Sequence, residues 1–125
     1  MKLVLDAGAF IGFERGDVGI RAMLKAAREN EVELVTSATV VGQVWRNGSR
    51  QALLARLLVG VHVKTVDEPA GRRAGELLAR TSSADVIDAL VAGLASHGDT
   101  LVTSDPDDLK TLLSAARVRA AVRTA

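Results

Sequence analysis

The chain has 125 residues, 48% of them apolar and 25% charged, with a net charge of +1 and no cysteine. That describes one domain, residues 1–125, with enough apolar material for a core and no bias towards disorder. It excludes disulfides, zinc–thiolate sites and thiol catalysis, offers no global polycation, and contains no apolar run of the roughly 20 residues that span a bilayer.

The opening "MKLVLD" meets a carboxylate too early for a signal peptide, so the expected location is the cytoplasm. "KLVLD" (2–6) reads as a short apolar strand of the kind buried in a parallel sheet. "GAFIGFERG" is a short helix closed by Gly16, and Asp17 then caps "VGIRAMLKAAREN", with Ile20, Leu24 and Ala27 at helical spacing. "VELVTS" (32–37) is the second strand. Ser37 caps the helix "ATVVGQVWR", which "NGS" (47–49) breaks. "RQALLARLLV" places Leu53, Leu54, Leu57 and Leu58 on one helical face.

"VHVKTV" (61–66) alternates as a third strand, and "DEPAGRRAGELLAR" is a helix with Pro69 in its first turn and Ala70, Ala74, Leu77 and Leu78 inward. "TSSADVIDALVAGLASHG" starts on cap-type serines, runs on Ile87, Leu90, Val91, Leu94 and Ala95, and stops at Gly98. "DTLVTSD" (99–105) is a fourth strand, "PDDLKTLLSAA" a helix opened by Pro106 and acids, and "RVRAAVRT" (117–124) a short final strand. Strands alternate with helices throughout. The expected fold is therefore α/β, with a mostly parallel central sheet of four to five strands and helices on both faces.

Ligands of open α/β sheets gather at the carboxyl ends of the strands. Asp6 and Asp105 stand at two such ends, while Asp85 and Asp88 share one face at the start of a helix. Taken singly, Asp85 and Asp105 read as helix caps and Asp6 as a turn residue. "LVLDAG" also suggests half of an aspartic protease, but Ala7 replaces the threonine of such a site and the helices are too many. Asp88 lies between Ile87 and Ala89, too deep for a cap. A buried carboxylate needs a partner or a cation, and no Lys or Arg lies near in sequence. Jointly the acids point to a hard divalent cation such as Mg²⁺. His62, in a strand, and His97, as a helix C-terminal cap, take no part. Arginines gather in the middle third, with Arg46 and Arg50 the pair best placed for phosphate. Only Phe10, Phe13 and Trp45 are aromatic, so any nucleic-acid contact is ionic and shape-based.

On "LVLDAGAFIGF", "SATVVGQVWR" and "ADVIDALVAGLASHGDTLVTSD" the chain resembles the PIN-domain ribonucleases of the VapC toxin type over nearly its whole length. The resemblance implies a three-layer sandwich, Mg²⁺- or Mn²⁺-dependent endoribonuclease activity, a homodimer, and a small antitoxin whose C-terminal segment covers the acidic cleft. Asp6, Asp88 and Asp105 match the family's first, third and fourth acids, with Asp85 as a further ligand or a group that orients one. At the second acid, normally Glu, this chain has Gln43, which keeps a carbonyl oxygen to hydrogen-bond a ligand water but supplies no charge. Three readings follow: a nuclease needing more metal, an enzyme that recruits Asp85 or Asp107 instead, or a weakened RNA- or protein-binding module. Arg46 is expected to reach the RNA backbone and Ala7-Gly8 to leave room for substrate, while Thr103 and Ser104 either end the strand, the preferred reading, or contact phosphate. A phosphate-handling receiver is a weaker alternative, because Asp6-Ala7-Gly8 lacks the second acid of an Asp-x-Asp pair.

Overall fold

In the computed structural model, which covers residues 1–125, β1 (Lys2–Leu5) leads through α1 (Ala7–Glu14) and α2 (Val18–Glu29) to β2 (Glu33–Ser37). Next come α3 (Ala38–Val44), a single 3-10 turn (Gly48–Arg50), α4 (Ala52–Val59), β3 (His62–Lys64) and α5 (Glu68–Ala79). The chain closes with α6 (Val86–Ala92), β4 (Thr100–Thr103), α7 (Pro106–Ala115) and β5 (Ala121–Thr124).

The five strands lie in the order β3-β2-β1-β4-β5, and every pairing is parallel. The central strands β1, β2 and β4 are apolar and buried along most of their length, as strands covered on both faces must be. The edge strands β3 and β5 are largely exposed. α1 packs against α2, α3 and α4, while α5, α6 and α7 pack on one another, so helices flank the sheet in two groups. Helix starts follow the expected chemistry: Asp17 Oδ1 accepts from the Ile20 amide at 2.8 Å and Asp67 Oδ1 from Ala70 at 2.9 Å. Ile20, Leu24 and Ala27 are buried, as are Ala74 and Leu77.

Several elements differ from expectation for identifiable reasons. α3 stops at Val44 because Gln51, from beyond the break, accepts the Arg46 amide at 2.7 Å and the Asn47 amide at 2.9 Å. On α4 the core takes Leu54 and Leu57, leaving Leu53 47% exposed. α6 is only Val86–Ala92, and Asp85, not a serine, caps it. Its buried face is Asp88, Ala89, Val91 and Ala92, so Asp88 lies on the inward face and not beside it. β3 and β5 are shorter than expected, and β5 starts late because Arg117 turns left-handed (φ 57) after α7.

Candidate active site

β1 and β4 run in register Leu5↔Val102, and the Asp6 amide donates to Val102 O at 2.9 Å, so Asp6 stands level with Thr103. There the chain leaves the sheet on both strands. Asp6 becomes the N-cap of α1, its Oδ1 accepting from the Ala7 amide at 2.8 Å. Thr103 Oγ1 donates to Asp6 Oδ2 at 2.7 Å and accepts from the Asp105 amide at 3.0 Å. Asp6 is 5% exposed and Thr103 0%. One hydroxyl thus orients the first acid and holds the turn that carries another.

Asp88 is the third residue of α6, and its amide donates to Asp85 Oδ1 at 3.1 Å. The residue is 8% exposed, and its carboxylate receives no hydrogen bond from the protein. No fully enclosed polar side-chain atom lacks a partner, so the Asp88 oxygens keep a contact with solvent. Burial, and after it the negative charges of Asp85, Asp6, Asp105 and Asp108, push its pKa from the ordinary 3.8 up to about 7. All four charges acting on it are carboxylates.

Asp105 occupies the N-cap position of α7 but makes no capping bond, so the expected cap is instead an exposed carboxylate. Asp108 was missed in the sequence. It lies one helical turn beyond Asp105, the same three-residue spacing that links Asp85 to Asp88, and that spacing was the available signal. Asp107 is not among the charges that act on Asp88.

The remaining candidates are placed differently. Gln43 sits in the last turn of α3, exposed and without a hydrogen bond to any of the acids. Arg46 turns back on its own helix, its Nη1 donating to Gly42 O at 2.9 Å and Trp45 O at 2.8 Å, and so caps α3 where an extended reach to RNA was expected. Thr103 is fully buried with its hydroxyl committed to Asp6 and the Asp105 amide; Ser104 is exposed beside it. Gly8 is required by the fold itself: a Cβ there would lie 2.9 Å from Ser104 Oγ and 3.0 Å from its backbone nitrogen. His97 is no helix cap, because α6 has already ended; its Nδ1 accepts from the Arg119 amide at 3.0 Å.

The cluster contrasts with the chain's other buried acid. Burial alone would raise the Asp99 pKa, but the Lys2 ammonium and the Ser96 and Lys2 amides outweigh it and hold the group below its ordinary value. Lys2 Nζ lies 2.6 Å from Asp99 Oδ2, at the opposite end of β1. No cation serves the cluster around Asp88. Its acids close on no ready-made cage of three ligands, yet the donors are hard oxygens carrying uncompensated charge. Such an open set suits Mg²⁺ or Mn²⁺, which takes one or two carboxylates and keeps several waters.

A model of the PIN domain family matches residues 3–112, a span that starts in β1, reaches into α7 and includes all five acids. No curated protein matches the chain.

Proposed function

The chain belongs to the PIN-domain family, a nuclease fold, and on that premise we propose that it is a metal-dependent endoribonuclease, the toxin of a toxin–antitoxin pair. The observation that carries this reading is Asp88: inward-facing, with no hydrogen bond to its carboxylate, and within the fields of Asp85, Asp6, Asp105 and Asp108, of which Asp6 and Asp105 follow the carboxyl ends of adjacent parallel strands.

A bound Mg²⁺ or Mn²⁺ would supply Lewis-acid activation of water and of the scissile phosphodiester. Asp88 and Asp105 have no competing hydrogen-bond donors on their carboxylates and would be the direct ligands, with Asp6 held at a fixed angle by Thr103 and Ala7. Asp85 has one oxygen committed to the Asp88 amide, so it orients α6 and adds negative charge. Asp108, whose charge reaches Asp88, is a candidate to supply the carboxylate that residue 43 does not; a weakened RNA- or protein-binding module is the alternative reading. Ser104, exposed at the mouth, remains the side chain placed to meet a phosphate oxygen. A small antitoxin laid over the acids, a homodimer and a cytoplasmic location complete the proposal. No helix is long and apolar enough to cross a membrane.

Purified protein should cut single-stranded RNA in Mg²⁺ or Mn²⁺, and Asp88→Asn should abolish cleavage with the circular dichroism spectrum unchanged. Intact RNA at every divalent concentration, or normal cutting by Asp88→Asn, would overturn the assignment.

A further inference from the structure

A concave surface whose lining includes none of the five acids adjoins α6. It is a groove of about 290 Å³ between α5, α6 and the end of β3. α5 contributes Ala70, Ala74 and Leu77, and α6 with its following turn contributes Ala89, Leu90 and Gly93. The lining from residue 70 to residue 80 follows α5 for about 15 Å at 1.5 Å per residue. No aromatic residue lines it.

Its rim carries three cations, Lys64, Arg73 and Arg80, against one acid, Glu76. All four are exposed, and none forms an ion pair within 4.0 Å, whereas the neighbouring Arg72 is paired with Glu68 at 2.7 Å. Arg73 and Arg80 are two helical turns apart on the same side of α5.

We infer that this groove docks an acidic amphipathic helix of a partner protein, its apolar face on the alanine-rich floor and its carboxylates opposite Arg73, Arg80 and Lys64. A floor of this length takes apolar side chains at the i, i+3/i+4, i+7 spacing of one helix face. Cations strung along the length of the groove match a ligand with several spaced anions, where a fatty carboxylate would use one. RNA would meet the cations but would find no aromatic face on which to stack a base. None of the five acids lines the groove, although Ala89 follows Asp88 on α6, and the inference does not depend on RNA cleavage.

The test selects a phage-displayed library of 16-residue random peptides on the full chain, then titrates the synthesised winner into ¹⁵N-labelled protein. Enriched peptides are expected to be acidic and amphipathic, and to shift the amides of Ala74, Leu77, Leu90 and Gly93. They should bind the Arg73→Glu/Arg80→Glu double variant at least tenfold more weakly. That variant changes only exposed side chains, so its melting temperature and any RNA cleavage should match the parent's. No enrichment of acidic amphipathic sequences would overturn the inference, as would equal affinity for the double variant or shifts centred on Asp6 and Asp88. Movement of the same groove amides by a single-stranded RNA oligonucleotide would also overturn it, assigning the groove to nucleic acid.

Discussion

Thr103 Oγ1 donates a 2.7 Å hydrogen bond to Asp6 Oδ2, joining the last residue of β4 to the carboxylate that ends β1. Both groups are buried, so neither can exchange this bond for water. Thr103→Val keeps the shape and removes the donor, and it also takes the acceptor from the Asp105 amide. Leaving buried polar groups unmatched costs about 1–3 kcal/mol. Urea unfolding should show that loss in Thr103→Val and most of it restored in Thr103→Ser; equal stability of all three proteins would rule out an orienting role.

Asp88 gives stability an unusual pH dependence. Its unfolded carboxyl titrates near 3.8 and its folded one near 7, so between those values the native state holds a proton that the unfolded state has released. Stability therefore falls as pH rises through this window, and the penalty is complete above it. Asp99 acts oppositely, its contribution being lost only as pH drops through and below the ordinary carboxylate range. The melting temperature should be higher at about pH 5 than at about pH 8. Asp88→Asn should flatten that difference and melt higher than the parent at the alkaline end. A parent protein with the same melting temperature across this range would contradict the crowded, unpaired state of Asp88.

Divalent cations should reverse the penalty. Because protons and metal compete for the same carboxylates, Mn²⁺ should raise the melting temperature more at about pH 8 than at about pH 5. EDTA should return it, and Asp88→Asn should abolish the response. A shift of equal size at both pH values would indicate binding elsewhere.

The fourth charge of the site can be located by substitution. Asp108→Asn should weaken Mn²⁺ binding by roughly tenfold or more, the scale seen when groups supporting a metal are removed. Asp107→Asn should leave it unchanged. Gln43→Glu should tighten the metal dependence if the last turn of α3 faces the acids; an unaltered titration would place residue 43 outside the site. Calorimetry reads all three without requiring cleavage.

Gly8→Ala tests whether α1 must touch the end of β4. The added methyl would meet Ser104 at 2.9–3.0 Å, including a backbone atom that can yield only by moving the strand end. Overpacking of this kind costs about 1–3 kcal/mol, and because Asp6 begins α1 it should also depress cleavage. Unchanged stability with full activity would show that the contact is slack.

Much of this architecture was legible in the residues. Apolar runs at β1, β2 and β4, separated by capped helices, announce a parallel sheet, and its carboxyl edge then locates Asp6 and Asp105. What could not be read depends on contacts between distant segments. The role of Thr103 follows from the register of β4 against β1. Arg46 folds back because Gln51, five residues on, ends α3 early. Asp105 sits where a cap would sit, yet its ψ of 62° accompanies the loss of the capping bond and leaves the carboxylate free. Asp88 reads as sharing one face with Asp85, whereas Asp85 caps α6 and Asp88 itself faces inward.

β1 is fastened to β4 at both ends: Lys2 to Asp99 at its start and Asp6 to Thr103 at its finish. A slip of one residue between the strands would turn alternate side chains to the opposite face and undo both contacts together. Correct strand alignment and the placing of Asp6 beside Thr103 are thus one event, and a chain paired out of step would carry its first acid to the wrong place.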